Sequence, residues 1–153
     1  MENRSAAALW QSFKNRSQNA PDHYEAWAFG NTEEMADELA ELVLAGKKTA
    51  TSSNYTLYEL EQELLPKVGQ HHVLLNGKGE AVAVIVTTAV TVIPYNQVTE
   101  EHAFFEGEGD RSLAYWQQVH EPFFKSELEA HGLAFHPDIP VLCEQFKVVY
   151  QRQ

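Results

Sequence analysis

A single cysteine, Cys143, in 153 residues excludes an internal disulfide framework. No apolar run reaches the length that spans a bilayer, and no charged-then-apolar leader appears, which sets the expectation of a cytoplasmic protein with no membrane partner. Bases are scarce: 11 Lys and Arg stand against 22 Asp and Glu, a formal charge of −11. Such a chain repels polyanions at long range, so a broad basic nucleic-acid surface is excluded and only a local basic pocket is left open. Internal repeats, low-complexity tracts and linkers are also missing, and the length with 44% apolar residues suits one domain over 1–153 with one core.

What is present alternates between helical and strand patterns. Leu9, Trp10 and Phe13 predict a helix over 5–16 with Ser5 as N-cap, and Tyr24 to Phe29 alternates as a short strand. From the cap Thr32, Met35, Leu39, Leu42 and Val43 recur at the helical period, and Gly46 suits the left-handed residue that ends such a helix. A helix over 55–65 is expected from Leu57, Leu60, Leu64 and Leu65, stopped before Pro66. Residues 71–75, the turn Asn76-Gly77-Lys78-Gly79 and the run 80–93 read as a hairpin whose long strand bends near Thr87-Thr88. Thr99 caps a helix over 100–105, and Asp110 caps another that bears Leu113, Trp116, Val119 and His120 and must kink or restart at Pro122. The run 141–150 puts Leu142, Glu144, Phe146, Val148 and Tyr150 on one strand face. The fold class expected is α+β, a curved or barrel-like sheet with helices packed outside it.

The stretch Gly46-Lys47-Lys48-Thr49-Ala50-Thr51 contains the pattern GxKxxT at the expected helix end. Lys48 and Thr51 are three apart, so on a regular strand they point to opposite faces and meet only across a turn, bulge or bend. The helix end and Gly46 supply such an irregularity, where a lysine can serve as general base to a hydroxyl or water. The plainer alternative is that Lys47 and Lys48 complement the helix dipole and Thr51 opens a polar strand.

The same stretch resembles the GxKxxT motif of the ASCH domain family, the activating-signal-cointegrator homology domains. Thr99 to Glu106, TEEHAFFE, resembles the family's TExHAxxE segment, and Cys143 to Val149 is similar to its closing strand. The three blocks come in order over about residues 37–150, leaving the helix at 5–16 as an addition. The resemblance implies a PUA-like small β-barrel of mixed strands with helices outside, and a link to RNA binding. Small bacterial members remove the acyl group from N4-acetylcytidine, which implies a catalytic set of Lys48 as base, Thr51 as nucleophile, and Glu106 to orient Lys48 or handle the proton of the leaving amine. No cofactor and no metal are implied. Lys47, Ser52, Arg111, Ser112 and Glu144 are the expected substrate contacts. The chain departs from the small enzymes in the several acids of its loop Glu106-Gly107-Glu108-Gly109-Asp110-Arg111-Ser112, and in Ser52-Ser53, where they carry a basic residue. Larger members resemble that loop more closely, and ribonuclease activity in part of that group makes Arg111 and Ser112 candidates for phosphate contact. Two expectations result: hydrolysis of an acylated pyrimidine nucleoside at the barrel mouth, or binding or cleavage of single-stranded RNA through the same cleft.

Trp27 and Trp116 are expected in the core, and Tyr55 and Tyr58 either pack or stack a base. His102, His120, His131 and His136 lie far apart without carboxylate or Cys partners at metal-site spacing, which argues against a metal site. Cys143 reads as a buried, inert thiol.

Overall fold

Helix starts follow the capping chemistry, with two shifts of position. In the computed structural model, which describes residues 3–152, α1 (Arg4–Arg16) is capped by Asn3, whose Oδ1 accepts from the Ala6 amide at 2.9 Å. Ser5, the expected cap, instead accepts the Ala81 amide at 2.8 Å. After the short strand β1 (Glu25–Trp27), α2 (Glu33–Leu44) begins at Thr32, as its sequence predicts, and Gly46 takes φ +78° just past its end. Its buried face is Ala36, Ala40 and Val43, one position round from the expected stripe, and Met35 is exposed. Small side chains let the helix sit close to what it covers.

Next come β2 (Ala50–Asn54) and α3 (Tyr55–Leu60). The expected helix over 55–65 stops at Leu60: Gln62 adopts φ +55°, and Leu60, Leu64 and Leu65 are exposed. A residue before proline disfavours helical backbone, so Leu65 ahead of Pro66 cannot extend the run. The hairpin of β3 (His71–Leu75) and β4 (Ala81–Pro94) forms as expected. Its register slips between Leu74 and Leu75, which face Ala83 and Ala81. The extra residue, Val82, reverses the alternation, so Ala81 and Val84 bury on one face while Val82, Ala83 and Ile85 bury on the other.

The helix α4 (Glu100–Glu106) starts at Thr99 and stops at Gly107, φ +78°. The following helix, α5 (Leu113–Ala130), is capped by Ser112 and not by Asp110, which instead accepts the Ser112 amide at 2.9 Å. It runs through Pro122 as one helix, so of the kink or restart expected there the restart does not occur. The last strand is β5 (Pro140–Gln151). Along the face expected for it, Phe146 and the partly buried Val148 join one cluster and Tyr150 another, while Val141 and Cys143, on the opposite face, join a third.

The strands order β1-β3-β4-β5-β2 in one mixed sheet, β1 parallel to β3 and the pairs β3–β4 and β2–β5 antiparallel. With its helices this is the α+β class that the sequence predicts. By packing, the chain divides into two compact units. One comprises the chain up to Lys47, Val68–Thr88 and the end from Phe146; there α1 covers one face of β3–β4 with Leu9, Trp10 and Phe13, and α2 covers the other with Ala40 and Val43. The second comprises Lys48–Lys67 and Ala89–Gln145, with a core of Trp116, Phe124 and Leu128 from α5 against Tyr95, Val141 and Cys143.

The first unit carries a neutral histidine. Trp27 Nε1 donates to His72 Nδ1 at 3.0 Å, so Nδ1 is an acceptor and Nε2 faces Thr87 Oγ1 at 3.3 Å. Burial lowers the pKa of His72 below its ordinary value. A base so lowered binds protons more readily when unfolded, so its contribution is full above about pH 6.5 and is lost as pH falls below it. Thermal melts of the wild type at pH 7.5 and 5 should show a larger fall in Tm than those of His72→Gln, which keeps an acceptor but does not titrate. Equal falls would refute this.

Candidate functional site

The site lies within the second unit, where the start of β2 meets α4. The Thr49 amide donates to the Phe105 carbonyl at 2.7 Å and fixes that junction. Lys48, one residue earlier, is 2% exposed. Its Nζ donates to the Ala50 carbonyl at 3.0 Å, to Glu106 Oε1 at 3.4 Å and to Glu108 Oε2 at 3.1 Å. A buried ammonium persists only where such acceptors replace water. Lys47, its neighbour, is exposed.

Glu106, also 2% exposed, collects donors on both oxygens. Oε2 accepts from the Ser52 hydroxyl and, at 2.5 Å, from Trp116 Nε1, and it lies 3.2 Å from His102 Nε2. Oε1 faces Lys48 at 3.4 Å and His120 Nε2 at 3.8 Å. Burial by itself would raise this carboxyl, but Lys48, the His102 hydrogen bond and His120 outweigh it and hold the group far below the usual carboxylate range. Glu106 is therefore a fixed anion around which the other side chains are arranged.

The structure brings Lys48, Glu106 and Ser52 together. Thr51 pairs with Glu144 across β2–β5, whereas Ser52 pairs with Cys143, and neighbours on a strand face opposite ways. The hydroxyl on the glutamate is thus that of Ser52. Ser112 caps α5 and lines a small pocket beside Glu106 and Glu108. The guanidinium of Arg111 lies 3.7 Å over the Phe104 ring and its Nε donates to the Phe104 carbonyl at 3.1 Å, which packs it onto α4. Tyr58 hydrogen-bonds Ser53 at 2.8 Å. Burial, then the Glu106 carboxylate, push the Cys143 thiol up to about 12, in keeping with an inert buried cysteine.

Three of the four histidines expected to lack partners at metal-site spacing lie beside a carboxylate: His131 pairs with Glu61 at 3.1 Å, and two others reach Glu106. His102 and Glu106 are one helical turn apart on α4, a spacing that the sequence displays. His120 stacks on Trp116 at 4.4 Å between ring centroids and reaches Glu106 from α5. Trp116 is a core residue as expected, but its indole N–H is given to the site. The free volume of the pocket bounded by Glu106, Glu108, Ser112, Tyr115, Trp116 and His120 is about 10 Å³, roughly the room of one water.

Comparison with known proteins places the chain in a family. The family model described as the ASCH domain matches residues 25–150. The crystal structure of an ASCH domain from Lactobacillus crispatus JV V101 is 36% identical, superposes with a TM-score of 0.92, and covers 99% of this chain and 97% of its own. A protein from Enterococcus faecalis V583 is 38% identical with a TM-score of 0.88, covering 97% of this chain and 90% of its own. No curated protein matches the sequence.

Proposed function

The chain belongs to the ASCH domain family, and from that premise we propose that it hydrolyses a small amide, an N-acylated pyrimidine nucleoside of the N4-acetylcytidine kind, at the Lys48–Glu106 pair. One observation carries this reading: a buried ammonium held between two carboxylates, with a hydroxyl on one of those carboxylates. Amide hydrolysis needs a nucleophile, a proton acceptor, a cation for the carbonyl oxygen as it becomes an oxyanion, and a proton for the departing nitrogen. Hydroxyls of β2 supply the first, Thr51 by its place in the motif and Ser52 by its contact. Lys48 supplies the positive charge.

The two carboxylates divide the labour by their surroundings. Glu106 is held among five side chains, Lys48, Ser52, His102, Trp116 and His120, whereas Glu108 is 23% exposed and follows Gly107, φ +78°. The pocket holds about one water, so a substrate carbonyl reaches Lys48 by taking the place of the Glu108 carboxylate. A nucleoside-sized ligand also suits a chain of net charge −11. Binding or cleavage of RNA through the same cleft is the weaker reading, since Arg111, its expected phosphate contact, is packed on Phe104.

Incubation with N4-acetylcytidine, with cytidine release followed by chromatography, tests the proposal. Turnover is expected, and Lys48→Ala should lower kcat/KM by about 100-fold or more, the scale of losing an oxyanion contact. Absence of turnover by the wild type, or equal turnover by a folded Lys48→Ala, would sink it.

A further inference from the structure

Two adjacent hydroxyls on β2 compete for the role of nucleophile, and only one of them touches the acid–base groups. Ser52 Oγ lies 2.7 Å from His102 Nε2 and hydrogen-bonds Glu106 Oε2. His102 Nε2 is in turn 3.2 Å from that same oxygen. Ser52 is half-buried, and the thiol opposite it, Cys143, is held in its protonated form. Hydroxyl, imidazole, fixed carboxylate and a nearby cation are the parts from which acyl-transfer sites are built on unrelated folds.

We infer that Ser52 is the nucleophile of this site and that His102 takes its proton, an assignment that rests on the hydrolase reading above. Ser52 Oγ bonds to the amide carbonyl carbon as the carbonyl π pair moves onto oxygen, and the hydroxyl proton, given to Glu106 Oε2 at rest, passes to His102 Nε2 with the imidazole in its Nδ1–H tautomer. The imidazolium so formed is paired with Glu106, and Lys48 faces the oxyanion. The C–N bond then breaks, His102 returns its proton to the leaving nitrogen, and an acyl ester remains on Ser52. Water attacks that ester by the same route, with its proton passing through His102, releasing the carboxylic acid and restoring the serine. No oxidant, reductant or further reactant is required.

Acylation can be read without the nucleoside. The protein is treated with p-nitrophenyl acetate, and the acetyl group is mapped by peptide mass spectrometry alongside thermal melts of each variant. Acetyl on Ser52 is expected in the wild type. Ser52→Ala should lose at least about 100-fold in the rate of p-nitrophenol release, while Ser52→Cys should regain acylation as a thioester at the same position. Acetyl mapped to Thr51, no acylation on β2, or a loss under tenfold in a folded Ser52→Ala would overturn the assignment. The two readings fail separately. Acetyl on Ser52 without N4-acetylcytidine turnover removes the substrate and leaves the nucleophile, whereas turnover with the acyl group on Thr51 does the reverse.

Discussion

Lys48→Met is expected to destabilise the protein by about 3–5 kcal/mol, the scale at which removal of one partner of a buried ion pair leaves the other charge uncompensated. The stranded group is Glu106, whose side chain is 3% exposed. Trp116 and Ser52 still donate to it, which puts the cost toward the lower end of that range. The carbonyl of Ala50 also loses its donor from Lys48. Methionine fills the volume of the lysine stem, so little of the loss comes from a cavity. The double variant Lys48→Met/Glu106→Gln removes both charges together and should cost less than the sum of the two single changes, because the second change relieves what the first created. Urea denaturation of the four proteins measures this cycle, and additive costs would show that the pair is not coupled. The acid limb gives a second reading. A carboxyl held below its ordinary value contributes stability above about pH 4.5 and loses it as pH falls below that. Wild-type stability should therefore drop more steeply below pH 4.5 than that of Glu106→Gln.

How much of this site could be read from the sequence depends on the distance along the chain over which each part is assembled. Lys48 and Glu106 were legible because each sits in a motif block with a fixed neighbour: Gly46 just past a helix end, Thr99 at a helix start. The partnership of His102 and Glu106 is local too, since i and i+4 share a helix face whatever the helix packs against. The substitution of Ser52 for Thr51 at the glutamate is a matter of strand parity. One residue of register decides which hydroxyl faces α4, and register is set by pairing with β5 some 90 positions away in sequence, Ser52 against Cys143. Trp116 and His120 reach the site from a helix whose orientation is fixed by its own buried face of Trp116, Phe124 and Leu128. Their arrival at Glu106 is a tertiary fact that no short window contains. The same limit explains α2, where the large apolar residues predicted the core face and close packing chose the small ones, Ala36 and Ala40.

Glu127→Gln is expected to stabilise the protein at pH 8 and to leave it nearly unchanged at pH 5. Asn54, on the same face of β2 as Ser52, is 3% exposed. Its amide nitrogen and oxygen, together with Glu127 Oε1 on α5, are buried and lack hydrogen-bond partners among the described residues. Burial, reinforced by the Glu61 carboxylate and opposed by Asn54 and His131, raises the Glu127 carboxyl to about 7. For a carboxyl raised in this way the folded state binds the proton more tightly than the unfolded chain. Its favourable contribution is complete below the ordinary value of about 4.5 and is lost as pH rises through 7. At pH 8 the native protein holds a partly desolvated carboxylate beside a second one. The full linkage of such a displacement is about 3 kcal/mol, and solvent screening of a half-buried side chain reduces it to ~1–2 kcal/mol. Glutamine keeps the shape, cannot ionise, and brings both a donor and an acceptor to the Asn54 amide. Chemical denaturation at the two pH values decides the matter: a gain of about 1 kcal/mol or more at pH 8 that disappears at pH 5 is the expected pattern. An equal effect at both would mean that Glu127 does not change its charge between them.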